Sequence, residues 1–222
     1  KQKKYILGSS VMSASLISAI VPAYNEQQRV ASTVESAQQH VDEIIVIDDA
    51  SEDYTREEAR NAGARVVRQP YNQGYIAAIK RGFAEAIGDI VVTLDADGEF
   101  PADQIPQLVK PILDGYADMV QGHRDYIPRI SERILTWLAQ RKADVGDSGT
   151  GFRALRTSLA RNLELNSPCI CGIFSLEVIA KGGRIVEIPI SLRTINKPRK
   201  IAWFHLRQFF YLIPWLVRPS RG

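Results

Sequence analysis

The hydrophobic residues of this 222-residue chain fall into short continuous runs that alternate with longer amphipathic segments. Between residues 16 and 94 this alternation is typical of βαβ units, which build a parallel sheet. Continuous apolar runs also indicate strands that are covered on both faces. The predicted strands of this first half lie at residues 16–21, 43–47, 65–68 and 89–94.

The segments between the predicted strands have the spacing of helices, with apolar residues three or four positions apart. Val30, Val34, Ala37 and Val41 recur in this way, and so do the apolar residues between 76 and 87. The second half is less regular, but it completes one α/β domain over residues 16–196 with a mixed, mainly parallel sheet flanked by helices. Its predicted helices lie at residues 103–113, 129–140 and 174–180, and its strands at 118–121, 151–155 and 184–187.

The two ends of the chain differ from this domain. Residues 1–15 are interpreted as a leader, disordered or added by cloning, because Gly8 and several serines interrupt the apolar stretch that a signal peptide requires. Residues 197–222 are basic and aromatic, but polar residues and Pro214 interrupt them, and a membrane-spanning helix requires about 20 predominantly apolar residues. We therefore expect an amphipathic helix at a membrane interface. The alternative is a helix that packs on the domain or on a second subunit.

Composition narrows the function only slightly. Hydrophobic residues make up 45% of the chain and charged residues 24%, as in ordinary globular proteins, and the net charge of +3 predicts no nucleic-acid partner. Cys169 and Cys171 stand one residue apart with no histidine close to them in the sequence. We therefore expect neither a disulfide framework nor a zinc site, and a reducing, cytoplasmic setting.

The most informative acidic pair is Asp95 and Asp97, which follow a predicted strand. Ligands of open α/β sheets bind at the carboxyl ends of the strands. In an extended chain residues i and i+2 point to the same side, so both carboxylates could reach one Mg²⁺ or Mn²⁺ ion. Such an ion would neutralise a leaving diphosphate. A plain surface turn is the alternative, since Asp and Gly favour turns.

Asp48 and Asp49 form a second acidic pair at the end of a predicted strand, within the sequence DDASEDYT at 48–55. Ser51, Asp53 and Thr55 could simply cap the next helix. Capping does not explain two adjacent carboxylates, whose charges require a ligand or hydrogen-bond donors nearby. A nucleoside is such a ligand.

Two further loops, VPAYNE at 21–26 and NQG at 72–74, also lie between a predicted strand and the helix that follows it. Each alone is a plain turn. Four loops at successive strand ends on one edge of the sheet indicate a binding site.

These four motifs, 21–26, 48–55, 72–74 and LDADG at 94–98, resemble in order and spacing the inverting family 2 glycosyltransferases of the GT-A fold. The resemblance covers roughly residues 16–200. Within that family GHR at 122–124, DSGTGFR at 147–153 and IVEIP at 185–189 resemble the polyprenyl-phosphate sugar synthases of the dolichyl-phosphate mannose synthase type.

The resemblance implies a GT-A fold, a GDP- or UDP-sugar donor, a polyprenyl phosphate acceptor and a place on the cytoplasmic face of a membrane. It implies metal binding by Asp95 and Asp97, and Glu99 stands where that subfamily commonly has Gln, so that it either adds a ligand or faces away. The residues expected at the donor nucleotide are Pro22, Tyr24, Glu26, Asp49, Asn72, Gly74, Asp95 and Ala96. The residues expected at the acceptor phosphate are Arg124, Arg153, Arg193 and Lys200.

The acceptor decides the remaining chemistry. A lipid phosphate oxygen is already anionic, so the protein has only to position it, a task that suits arginine. A sugar hydroxyl would require a general base, for which Asp147 is the candidate unless it only orients Arg153. The segment between Arg124 and Asp147 is shorter than usual in the family, which leaves a glycan or glycolipid hydroxyl as an alternative acceptor. A non-catalytic nucleotide-binding membrane adaptor and a homo-oligomer are also compatible with the sequence.

Overall fold

Seven strands form one sheet in the order β3-β2-β1-β4-β6-β5-β7. The computed structural model describes residues 15–127, 129–194 and 204–217. All pairs are parallel except those of β6, which runs antiparallel to both β4 and β5. The mixed, mainly parallel sheet predicted from the sequence is therefore confirmed. The strands are β1 (Ile17–Ala23), β2 (Glu43–Asp48), β3 (Arg65–Arg68), β4 (Ile90–Thr93), β5 (Met119–Arg124), β6 (Arg153–Arg156) and β7 (Ile185–Ile190).

Eight α-helices and a short 3₁₀ turn at Ala102–Gln104 are present among the described residues. The predicted helices are found close to their expected positions. One helix, α6, was not predicted, because it is only six residues long and mostly polar. The helices are α1 (Val30–Ala37), α2 (Thr55–Asn61), α3 (Tyr75–Glu85), α4 (Ile105–Leu113), α5 (Ile130–Ala139), α6 (Thr157–Asn162), α7 (Ile173–Ala180) and α8 (Phe204–Val217).

The sheet separates two hydrophobic cores. On β1, Ala19 and Val21 belong to the core beneath α1 and α4, whereas Ile20 between them belongs to the core beneath α3, α5 and α7. This alternation follows from the two-residue repeat of a strand and explains why the strand is apolar throughout. Helix α3 packs especially close to β1, since a Cβ added to Gly82 would lie 2.2 Å from Ile20 Cγ2.

The reversal of β6 determines where the longest connection lies. Strands β5 and β6 pair directly, with Gln121 opposite Arg153, so residues 125–152 leave the sheet and return to it at one edge. That edge is also the carboxyl end of β1, β2 and β4, because β4 and β5 both run antiparallel to β6. The connection carries α5 and the glycine-rich stretch at 146–151.

Helix α8 packs on the domain through one face. His205, Gln208 and Leu212 are at most 5% exposed, and Leu212 joins the core that contains α5 and α7. The opposite side carries Leu206 and Phe210, both more than 60% exposed. Packing on the domain is the alternative to an interfacial helix, and it is seen for one face of α8, whereas the other face is exposed. The predicted leader at 1–15, apart from Ser15, and much of the tail at 197–222 lie outside the described residues.

Candidate active site

The acidic loops meet at the carboxyl edge of the sheet, as their positions after strands predicted. Ala23 pairs with Asp48 in the ladder between β1 and β2, and the Asp49 N–H donates to the Ala23 carbonyl at 2.9 Å. The Leu94 N–H donates to the Ile20 carbonyl at 3.0 Å, so the chain after β4 leaves the sheet beside the chain after β1. Pro22 is buried within β1.

The loops after β1 and β2 hold each other in place. The N–H of Asn25 donates to Ser51 Oγ at 3.0 Å, and the N–H of Glu26 donates to Thr55 Oγ1 at 2.7 Å. Asp53 Oδ2 accepts from the Gln27 N–H at 3.2 Å. These side chains therefore fix the neighbouring loop. Tyr54, which precedes α2, makes no side-chain cap, but Asp53 Oδ1 accepts from the Thr55 N–H at the start of the helix at 3.0 Å. The capping role considered for Ser51 and Thr55 is wrong.

Asp49 organises the entrance to α3. Its Oδ1 accepts from Gln69 Nε2 at 2.6 Å and from the Gln73 N–H at 2.7 Å, and its Oδ2 accepts from the Gly74 N–H at 2.8 Å. Gly74 has φ +85°, a conformation that favours glycine, and it directly precedes the helix. Asn72 is exposed beside it. Protein donors thus satisfy the buried Asp49 charge, which is one of the two possibilities that the sequence leaves open.

Asp48 differs from its neighbour. It is fully buried, and its Oδ1 accepts from the Ser51 N–H at 3.0 Å. Its Oδ2 has no hydrogen-bond partner, and Arg68 Nε lies 3.8 Å away. Ala50, which follows the acidic pair, has φ +61°, a strained conformation for a residue with a side chain. Asn25 in the adjoining loop also has a positive φ, of 55°.

Asp95 is held on two sides. The phenol of Tyr75, the first residue of α3, donates to Asp95 Oδ1 at 3.0 Å. Burial and the nearby Asp95 charge raise the pKa of Tyr75 well above its ordinary value, so the phenol stays protonated and keeps donating. On the other side a Cβ added to Gly151 would lie 2.6 Å from Asp95 Oδ2, so only glycine leaves room for the carboxylate.

The Asp95-Ala-Asp97 segment is a turn and does not continue the strand. Strand β4 ends at Thr93, and Asp97 lies in a turn that Gly98 completes with φ +76°. The expectation that an extended chain aligns the two carboxylates is therefore wrong. The charges of both carboxylates nevertheless contribute to the raised pKa of Tyr75, so both lie in the neighbourhood of its phenol.

The donor set of this turn fits a hard divalent cation. Two carboxylates at the end of a strand leave the remaining positions of Mg²⁺ or Mn²⁺ for water and phosphate oxygens. The absence of a side chain at Gly151 leaves the space that the Asp95 carboxylate occupies. Glu99 does not join Asp95 and Asp97 in a three-ligand group in the described parts of the chain. Its backbone carbonyl accepts from the Arg193 N–H at 2.8 Å.

A cavity of about 380 Å³ opens beside Asp95. Tyr75 and Gly151 form the side near the acidic turn, and Arg129 and Glu132 come from the start of α5. A further wall is formed by Cys169, Cys171 and His205. A larger cavity of about 450 Å³ lies beside the loop at 69–73, but Asp95 does not line it. We therefore take the smaller cavity, which adjoins the carboxylates, as the centre of the candidate site.

Arg124 is engaged by protein carboxylates. Its Nε and Nη2 donate to the two oxygens of Asp147 at 2.6 and 2.8 Å, and Nη2 also donates to Glu132 Oε2 at 3.1 Å. Burial alone would lower the pKa of Arg124, but the bonds and charge of Asp147 outweigh it and raise the pKa. The structure differs here from the prediction of a direct phosphate contact, because a phosphate would have to replace one of these carboxylates. Asp147 orients Arg124 rather than Arg153.

Arg153 lies beneath the cavity, not on its wall. It is 1% exposed, and its guanidinium carbon lies 4.5 Å from the centre of the Phe174 ring. Its Nη2 donates to the Ser148 carbonyl at 2.9 Å, and its Nε has no hydrogen-bond partner. Burial lowers the pKa of Arg153, although an arginine remains charged. Arg153 does not line the cavity, and its role as a phosphate contact stays a prediction.

The remaining predicted residues lie around the edge of the site. Tyr24 is 44% exposed, and Glu26 forms an ion pair with Arg29 at 2.9 Å. The Ala96 carbonyl accepts from Thr33 Oγ1 at 3.1 Å, which holds the acidic turn against α1. Arg193 is exposed, and Lys200 lies outside the described residues.

Sequence reasoning missed four groups of the cavity wall: Tyr75, Arg129, Glu132 and the Cys169–Cys171–His205 cluster. The sequence has no histidine beside the two cysteines, but α8 brings His205 Nε2 to 3.7 Å from Cys171 Sγ. Tyr75 could have been found from its place directly after the NQG loop. Nothing in the sequence indicates the approach of His205.

A family model described as Glycosyl transferase family 2 matches residues 18–177. Among curated proteins, the dolichol-phosphate mannosyltransferase of Pyrococcus furiosus is 30% identical over 90% of this chain and 64% of its own length. The undecaprenyl-phosphate 4-deoxy-4-formamido-L-arabinose transferase of Edwardsiella ictaluri is 33% identical over 69% of this chain and 53% of its own length. The chain thus spans between half and two thirds of these relatives.

Among solved structures, the glucosyl-3-phosphoglycerate synthase of Mycobacterium tuberculosis has a TM-score of 0.78 to this chain. The two are 24% identical, and the match covers 94% of this chain and 82% of the other. That enzyme was crystallised with Mn²⁺, uridine diphosphate and glucosyl-3-phosphoglycerate. The likeness confirms the GT-A fold.

Proposed function

Because this chain belongs to glycosyl transferase family 2, we propose that it is a metal-dependent inverting transferase that moves a hexose from a nucleotide-diphosphate sugar to a polyprenyl phosphate at a membrane surface. The observation that carries the proposal is the acidic turn of Asp95 and Asp97, placed at the carboxyl edge of the sheet and open to a cavity of about 380 Å³. Two relatives whose names contain a polyprenyl phosphate, dolichol phosphate or undecaprenyl phosphate, support the choice of acceptor.

The donor side of the site is formed by the loops after β1 and β2. Mutual hydrogen bonds hold the backbone of Asn25 and Glu26 against the loop after β2, and the Gly74 N–H donates to Asp49. We assign the nucleoside to this region, near the Asn72–Gly74 loop that Asp49 anchors. A divalent cation at Asp95 and Asp97 neutralises the charge of the leaving diphosphate. Tyr75 keeps the Asp95 carboxylate directed at that position.

The acceptor side favours a phosphate. A phosphate oxygen attacks the anomeric carbon without losing a proton, so no general base is required. Both oxygens of Asp147, the predicted base, accept from Arg124, and the residue is fully buried. Arg129 lines the cavity, and its side chain is 34% exposed, although its Nη1 donates to Glu132 Oε1 at 2.8 Å. We assign the acceptor contact to Arg129, while the buried Arg124 and Arg153 add positive charge from beneath.

Two neighbouring helices support a place at a membrane surface. On α8 Leu206, Phe210 and Val217 are exposed at helical spacing, and on α5 Ile130 and Trp137 are exposed in the same way. Arginines flank both stripes, and such amphipathic helices lie in the interface of anionic membranes. None of the helices in the described part of the chain has the length and apolar character needed to cross a bilayer.

The experiment is a transfer assay with a panel of nucleotide sugars and a polyprenyl phosphate, with and without a chelator. We expect a lipid-linked sugar of inverted anomeric configuration that forms only when Mg²⁺ or Mn²⁺ is present. Asp97→Ala is expected to abolish turnover, whereas Asp103→Ala, a change at an exposed carboxylate of the 3₁₀ turn, is the matched control.

Two results would contradict the proposal in different ways. Transfer to a free sugar hydroxyl, but not to the lipid phosphate, would replace the acceptor and leave the enzyme class intact. Nucleotide binding without any turnover, with or without Mn²⁺, would instead make the chain a binding adaptor. A near-normal rate for Asp97→Ala would refute the metal assignment.

A further inference from the structure

Two thiols and an imidazole meet where α8 covers the loop before α7. Cys169 Sγ lies 3.0 Å from Cys171 Sγ, and Cys171 Sγ lies 3.7 Å from His205 Nε2. All three ligand atoms lie within 4.8 Å of one another, and all three residues are buried. In the described ranges this is the one group of three side chains with metal-ligating atoms so close together.

The imidazole is oriented toward the thiols. Ser131 Oγ, on α5, lies 2.7 Å from His205 Nδ1 and so forms a hydrogen bond with the ring nitrogen that faces away from the cysteines. Metal-binding histidines commonly have such a partner, because it fixes the ring and leaves the other nitrogen as the ligand. His205 Nε2 is the nitrogen that points at Cys171 Sγ.

The loop that carries the thiols is also held in advance. Gln208, one turn after His205 and fully buried, accepts from the Cys169 N–H at 3.1 Å and donates to the Cys171 carbonyl at 2.8 Å. Its Oε1 also accepts from Ser167 Oγ at 2.5 Å. One helix therefore supplies both the nitrogen ligand and the contacts that fix the two sulfurs.

The chemistry of the three groups selects a soft or borderline cation. Thiolate and imidazole are the ligands that Zn²⁺ prefers, whereas Mg²⁺ prefers oxygen. Zn–S and Zn–N bonds of about 2.3 and 2.0 Å in a tetrahedron separate sulfur from nitrogen by about 3.5 Å, close to the distance observed here.

We propose that Cys169 Sγ, Cys171 Sγ and His205 Nε2 bind one Zn²⁺ ion, separate from the cation expected at Asp95 and Asp97. The two sulfurs would have to move apart by roughly 0.7 Å to reach tetrahedral spacing. Binding releases the remaining thiol protons to solvent, since the ligands are thiolates. The cavity beside Asp95 is lined by all three ligands, so a water molecule or an anionic oxygen within it fills the fourth position.

The consequence is a link between α8 and the catalytic cavity. The ion would join the helix to the loop at 167–171, and that loop forms the cavity wall opposite the acidic turn. The proposal does not depend on the transfer reaction, because a metal at this site can be detected without turnover.

The test is a Co²⁺ titration of the reduced, metal-free chain in excess Mg²⁺, followed by absorption. We expect thiolate-to-cobalt charge-transfer bands that saturate at one equivalent and disappear when Zn²⁺ is added. Cys169→Ser and Cys171→Ser should each abolish these bands, and His205→Gln should weaken binding at least tenfold. Ser131→Ala should weaken it about tenfold or more through loss of the ring partner.

Matched controls come from side chains distant from the cluster in sequence. Ser32→Ala, within α1, and His40→Gln, just after α1, should bind Co²⁺ like the parent. Asp97→Asn should do the same. Thermal unfolding of every variant, with and without Zn²⁺, separates loss of the site from loss of the fold. Zn²⁺ should raise the midpoint of the parent and of the controls, but not that of His205→Gln.

Three outcomes would overturn the proposal. The first is the absence of thiolate bands in the folded, reduced parent. The second is a band of unchanged affinity in folded His205→Gln, which would leave α8 without a ligand. The third is a Cys169–Cys171 disulfide, detected by mass spectrometry, in protein purified with Zn²⁺ and reductant.

Discussion

Gly151 makes a sharp test of the acidic turn, because its missing side chain provides the space for Asp95. In Gly151→Ala the new Cβ would lie 2.6 Å from Asp95 Oδ2 and 2.7 Å from Oδ1, whereas ordinary contact begins at 3.4 Å. The carboxylate must therefore shift by about 0.8 Å. No positive φ is involved at this residue, so the substitution strains the contact and not the backbone.

A displacement near 1 Å in a catalytic arrangement can lower the rate about 100-fold, which is about 2.7 kcal/mol of transition-state stabilisation. We expect a loss of this size in kcat/KM for sugar transfer, together with a higher Mn²⁺ concentration at half-maximal rate. The assay is steady-state transfer from the preferred donor over a Mn²⁺ titration.

Gly149→Ala is the matched control within the same loop. Its Cβ would meet Arg124 Nη2 at 3.3 Å and Cys171 Sγ at 3.6 Å, which small side-chain movements relieve. It should keep most of the activity. If Gly151→Ala is folded and keeps its rate within threefold of the parent, the carboxylate does not need the position seen here, and the reasoning fails.

Three further substitutions test other contacts of the site. Tyr75→Phe removes a hydrogen bond to a charged carboxylate and should raise the Mn²⁺ concentration at half-maximal rate at least tenfold. Tyr71→Phe, at a residue that is 66% exposed, should leave it unchanged. Identical Mn²⁺ titration curves for the two variants would refute the role of the phenol. Asp147→Asn breaks a buried ion pair with Arg124 and should lower the free energy of unfolding by about 3–5 kcal/mol in urea denaturation; a loss below about 1 kcal/mol would contradict it. Asp49→Asn replaces one of the two oxygens that accept from the loop before α3 with a donor NH₂ group, and it should raise the donor KM about tenfold with kcat little changed. An unchanged KM would place the nucleoside elsewhere.

The strands and the edge of the sheet could be predicted because their signals are local. Each of the seven strands contains a short apolar stretch. The position of an acidic loop after a parallel strand already places that loop at the shared edge. The order of the strands and the reversal of β6 could not be derived in this way, since pairing partners leave little trace in one sequence. The reversal explains why Arg124 and the stretch at 146–151 reach the same edge.

The roles of the arginines could not be predicted from residue type. Arg124 and Arg153 were chosen as phosphate contacts because arginine suits phosphate, but the carboxylates that surround Arg124 come from α5 and from the loop before β6. Whether an arginine faces a protein carboxylate or a cavity depends on long-range packing. The same reason hid His205, which lies 34 residues from Cys171 and meets it only through the docking of α8.

The direct pairing of β5 with β6 suggests a route to altered acceptor selectivity. Residues 125–152 begin and end on two adjacent strands whose ladder lies outside the segment, so their anchor points stay fixed whatever the segment contains. The loops assigned to the nucleoside lie before β4, and the acidic turn assigned to the diphosphate follows it. Gly151 is the residue of the segment that gives Asp95 its space, so the exchanged segment must keep a glycine there. A recombinant chimera that exchanges residues 125–152 for the equivalent segment of a relative should therefore inherit a new acceptor range and retain its original donor.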